Sequence, residues 1–72
     1  MNINRLTCRQ REVIDALIEY GSAKAAALKL GLTQRTILES LQTSRRRVSV
    51  KSTWELVAKY AVAKALAEAA HV

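Results

Sequence analysis

The chain has 72 residues, half of them hydrophobic, with twelve Lys or Arg against six Asp or Glu and a net charge of +6. That length gives one domain with a small core, one cysteine excludes an internal disulfide, and no Cys/His cluster offers a zinc site. No apolar run approaches the ~20 residues that span a bilayer, and the first residues lack the pattern of a secretion signal, so a cytoplasmic setting is expected. No proline, two glycines and abundant Ala, Leu, Lys, Glu and Arg favour an all-α chain.

The first helix is expected to begin after Thr7. Thr7-Cys8-Arg9-Gln10 has capping-box spacing, in which hydroxyl and amide side chains each bond the other's backbone N–H. Val13, Ile14, Leu17 and Ile18 follow as one apolar stripe, and Gly21 stops the helix. Ser22 caps a second helix of small alanines, whose bulk comes from Leu28 and Leu30 and which Gly31 ends. Leu32 reads as the buried plug of the turn, and Thr33 caps a third helix with Ile37, Leu41 and Val48 on its inner side. Ser44 interrupts that stripe; it either bonds back to the Ser40 carbonyl or marks a thinner part of the core.

Ser52-Thr53-Trp54-Glu55 is a second capping box, so residues 48–51 form a short link and a fourth helix runs from about Thr53 to about Ala70. One face of that helix is expected to cover the first and third. An alanine line, Ala58, Ala61, Ala65 and Ala69, lies on one side and suits close packing against a second copy. No repeat, linker or low-complexity stretch divides the chain, and residues 1–72 read as a single domain.

Charge is unevenly spread. Residues 22–50 hold Lys24, Lys29, Arg35, Arg45, Arg46 and Arg47 against Glu39 alone, a net +5, whereas residues 1–21 are neutral. A positive field localised on two turn-linked helices suits a phosphate backbone. Double-stranded DNA is therefore the expected partner.

Laid end to end, these pieces resemble the LuxR/GerE-type DNA-binding domain, the four-helix module found in many bacterial transcription regulators. Leu6-Thr7 with Arg9-Gln-Arg-Glu12-Val13 resembles the family's Leu-Thr-x-Arg-Glu-x-Glu-Val opening. Residues 23–33, with Lys24, Ala27, Leu30 and Gly31, resemble its second helix and turn, and Thr36-Ile37 the start of its recognition helix. Residues 48–57 resemble the segment that opens its fourth helix, and the likeness runs over roughly residues 5–62 without a gap. Ala26, Ser44 and Ser49 depart from the family's usual isoleucine, apolar residue and glycine. Residues 36–48 are also similar to sigma factor region 4, and the turn to phage-type helix-turn-helix proteins. The resemblance implies a helix-turn-helix domain with the third helix as recognition helix and the fourth for packing and homodimerisation. With Met1 five residues before the matching stretch, no upstream sensory domain is expected.

In such a domain the third helix lies in the major groove. Helical spacing puts Gln34, Arg35, Leu38, Glu39 and Gln42 opposite Ile37 and Leu41. Gln42 suits adenine, Glu39 a cytosine amino group and Leu38 a thymine methyl. Arg45, Arg46 and Arg47 offset the negative helix end but exceed that need. They point in different directions around the helix, so one or two are expected to reach phosphates and one to lie over Trp54. With Lys51 they are expected to clamp the backbone. Lys24, Thr33, Thr36, Lys51 and Ser52 stand at helix starts and complete the expected DNA-binding set.

The competing readings are plainer. The third helix's outer side is also what any amphipathic helix turns to water, and Glu12, Asp15 and Glu19 look like a solvated face. Trp54, Tyr20 and Tyr60 are too dispersed for a single-strand stacking platform and read as core or interface. Cys8 and His71 have no companions for chemistry, so no enzyme, metal, cofactor or small-molecule ligand is expected. The fourth helix has only Lys59 and Lys64 as cations and ends with Glu68, so no membrane role is expected either. Two further functions stay open. One is a modulator that binds a full-length regulator or RNA polymerase; the other is a phage-type packaging or replication protein.

Overall fold

The computed structural model describes residues 2–70, and His71 lies outside them. All regular structure among the described residues is helical: a 3-10 turn at Ile3–Arg5, then α1 (Cys8–Tyr20), α2 (Ala23–Leu30), α3 (Gln34–Arg47) and α4 (Thr53–Ala69). Each boundary has a local cause. Thr7 Oγ1 accepts from Gln10 N–H at 3.1 Å while Gln10 Oε1 accepts from Thr7 N–H at 2.9 Å, closing the box that starts α1. Ser22, Thr33 and Ser52 each accept from the third residue on, at the head of α2, α3 and α4. Gly21 and Gly31, at φ 83° and 69°, turn the chain through the left-handed region that a Cβ disfavours.

The α4 box differs from expectation in one arm. Glu55 does not reach back to Ser52; its carboxylate accepts from Lys51 N–H at 3.1 Å and pairs with Lys59 at 3.1 Å. The Lys51 N–H and then the Lys59 ammonium hold the Glu55 carboxyl below its ordinary value.

α1, α2 and α3 pack around Val13, Ile14, Ala16, Ala26, Ala27, Ile37 and Leu41, and α4 closes the core with Leu56 and Tyr60. Leu6 and Val50 are buried beside them. Two large apolar residues of these helices lie outside the core. Leu28 is 78% exposed, because the buried side of the two-turn α2 is formed by Ala26 and Ala27 instead. Ile18 is also exposed, at the end of a stripe whose first members take the interior. Ser44 takes the first of its two alternatives: its hydroxyl donates to the Ser40 carbonyl at 2.7 Å, and the residue is fully buried. The back-bond removes the cost of a buried hydroxyl.

Asp15 is not the solvated acid expected. Its Oδ1 accepts from the Tyr60 hydroxyl at 3.0 Å and pairs with the Lys64 ammonium at 2.9 Å, tying α1 to α4. Burial first, and the Asp15 bond second, push the Tyr60 phenol up to about 12. The Asp15 bond likewise raises Lys64.

Candidate nucleic-acid interface

α3 has two distinct sides. Ile37, Leu41 and Ser44 face the core, while Gln34, Arg35, Leu38, Glu39 and Gln42 are all exposed. Steps of four, seven and eleven residues from Arg35 lead to Glu39, Gln42 and Arg46, so these four form one row along the outer side. Arg35 Nε donates to Glu39 Oε1 at 3.0 Å within that row.

The three consecutive arginines separate. At ~100° per residue, neighbours on a helix cannot share a face. Arg45 is half-buried and donates from Nη1 to the Lys51 carbonyl at 3.0 Å, bracing the link into α4. Arg47 donates from Nε to the Arg5 carbonyl at 2.8 Å, holding the N-terminal segment across 42 residues of sequence. Arg46 is exposed, and among the described residues its guanidinium makes no hydrogen bond or ion pair. Their divergence follows from helical spacing, but the carbonyls that hold Arg45 and Arg47 lie outside α3, and no spacing rule reveals them.

The remaining expected residues lie on other elements. Lys24 is exposed in the first turn of α2, and Lys51 and Ser52 are exposed before α4. The Thr33 hydroxyl is engaged as a cap and lies 2.9 Å from the Thr36 hydroxyl. Across residues 22–50, the Arg35–Glu39 pair is the one ion pair among the described residues. Lys24, Lys29, Arg45, Arg46 and Arg47 thus keep positive charge that no carboxylate offsets at contact distance. Lys29 stands 5.7 Å from the centre of the Tyr20 ring, a cation–π distance.

α4 presents a second surface of opposite character. Ala58, Ala61, Ala65 and Ala69 are all exposed, as are Trp54 at 82%, Leu66 at 67% and Val62 at 61%. Shallow apolar grooves flank this ridge. Ile3, Ala58, Val62 and Leu66 line one; Ile18, Trp54, Val57 and Ala61 line the other. Trp54 is therefore not a core residue, and Tyr60 is.

Among the described residues no group of His, Cys, Asp and Glu could hold a metal ion, and no helix is long and apolar enough to cross a membrane. Comparison with protein-family models, curated proteins and solved structures finds no match to this chain.

Proposed function

We propose that the protein is a sequence-specific, double-stranded DNA-binding transcription regulator of the LuxR/GerE helix-turn-helix kind. The observation that carries this reading is the outer side of α3. It is exposed along its length, and it belongs to the one segment with a large uncompensated positive charge. The three residues between α2 and α3 support it: left-handed Gly31 and half-buried Leu32 make the tight, plugged turn that such a motif needs. In this reading α3 enters the major groove and Gln34, Arg35, Leu38, Glu39 and Gln42 meet base edges. Arg46, Lys24 and Lys51 hold phosphates, with Thr33, Thr36 and Ser52 at the helix starts. Arg45 and Arg47 add charge while fixing the segments on either side.

The apolar ridge of α4 pairs two copies. A single domain buries little DNA surface, so two half-sites read together raise specificity. The direct test is retention of random-sequence duplex DNA at low and raised salt, with sequencing of what is kept. A steep salt dependence and an enriched, near-palindromic motif are expected; no retention at low salt overturns the reading.

A second reading draws on Leu38 and the α4 ridge, apolar surfaces that fit a protein as well as they fit DNA or a second copy. In it the domain modulates a larger regulator or RNA polymerase. A salt-insensitive complex with such a protein, and no DNA retention, is its signature.

A further inference from the structure

Arg35 and Glu39 are poorly arranged for stabilising a helix. Arg35 stands in the first turn of α3, where unpaired N–H groups favour an acid and disfavour a cation, and that turn holds no acid. In a pair four residues apart the better order has the acid first, and here the base comes first. Both side chains are largely exposed, 88% and 63%, so the pair contributes little to folding. Its geometry is better suited to recognition. Glu39 Oε1 takes the Nε side of the guanidinium at 3.0 Å, and among the described residues neither Nη of Arg35 is engaged.

We propose that Arg35 reads a guanine and that Glu39 is the residue that positions it; this rests on the DNA-binding reading above. The two Nη groups at the end of the guanidinium form a parallel pair of donors, and guanine presents O6 and N7 as a matching pair of acceptors in the major groove. Glu39 holds the plane of the fork before DNA arrives, which removes part of the ordering cost. Its carboxylate also repels phosphates, so the row is disfavoured on the DNA backbone and favoured on a base edge. Glu39 thus serves Arg35 rather than the cytosine amino group expected from sequence alone.

The test is selection from random duplex DNA, followed by competition binding, with the parent chain and the variants Arg35→Lys, Arg35→Ala, Glu39→Gln and Glu39→Ala. The parent motif contains a strongly preferred G·C pair. Arg35→Lys keeps the charge but loses the fork, and reduces preference at that one pair on the order of tenfold. Arg35→Ala does the same and also weakens binding to all sequences. Glu39→Ala relaxes the same pair and raises affinity for unrelated DNA, whereas Glu39→Gln, which keeps an acceptor for Nε, retains more of the preference. Thermal melting is unchanged in all four, which separates this role from a structural one. A parent motif whose G·C preference survives Arg35→Lys overturns the inference alone, as does Glu39→Ala acting on a different base pair. A parent chain that retains no DNA overturns the DNA-binding reading and this inference with it.

Discussion

α3 and α4 are similar in length, 14 and 17 residues, and each turns one side to the core. Their outer sides differ in kind. That of α3 is polar and charged, with Arg35, Glu39, Gln42 and Arg46 in a row, and water satisfies it at no cost. That of α4 exposes Trp54, Val62 and Leu66 among alanines, so the helix is apolar around most of its circumference. A helix of that pattern ordinarily has both sides covered. The surfaces differ accordingly: α3 offers mainly charge and hydrogen bonds, and the outer side of α4 mainly apolar area.

The largest effect that separates the sides of α4 is expected from Leu56→Ala. It removes a fully buried side chain and costs about 2–5 kcal/mol, a large share of the stability of so small a domain. Val62→Ser and Leu66→Ser on the outer side change monomer stability by less than about 0.5 kcal/mol. Under the proposed pairing of two copies they are expected to shift the monomer–dimer equilibrium instead. Urea unfolding and sedimentation of the three variants check both halves; equal destabilisation by all three would break the contrast.

Next come the arginines. Arg46→Ala is expected to reduce the salt slope of DNA binding by about 1 with no change in melting temperature. Arg47→Ala lowers the melting temperature through its lost bond to the Arg5 carbonyl. The reverse pattern would mean that Arg47 faces the ligand and Arg46 the fold.

Tyr60→Phe removes a bond to a carboxylate and is expected to cost about 1–2 kcal/mol. The same link has a pH signature. The folded phenol titrates at about 12 against an ordinary 10.0, so its stabilisation is complete below 10.0 and is lost as pH rises toward about 12. Lys64, also raised, loses its contribution in the same direction. Urea midpoints in that alkaline window fall for the parent and less for the phenylalanine variant.

The smallest effect lies at the head of α4. Glu55 is depressed, so its support for the first turn is present above the ordinary carboxylate value and fades as pH falls through the lowered one. Glu55→Gln removes that acid-side dependence, read as amide exchange at Lys51 and Glu55.

Much of the chain's architecture was legible because its signals are local. Thr7, Ser22, Thr33 and Ser52 cap where their spacing indicates, and Gly21 and Gly31 stop two helices. What escaped depends on distant neighbours or on short helices. In α2, eight residues give too few turns for periodicity to choose between Leu28 and the alanines as the inner side. The role of Asp15 depends on Tyr60 and Lys64, 45 and 49 residues away. Arg45 and Arg47 are committed by carbonyls at Lys51 and Arg5, one of them before α1. Ser49 adopts φ 58°, a strained choice for a residue with a Cβ, at the turn after α3. Val50 N–H closes that turn onto the Arg45 carbonyl at 3.0 Å. Of the candidate interface, the α3 row was legible from spacing, while the uncommitted state of Arg46 was not.

Under the proposed function α3, not α4, meets DNA. The most direct test is the amide NMR spectrum of the 72-residue chain, recorded with and without duplex DNA at low salt. Shifts are expected on Lys24, Gln34, Arg35, Leu38, Glu39, Gln42 and Arg46, reversed by added salt. Shifts confined to Trp54, Ala58, Val62 and Leu66, or none at all, would contradict it.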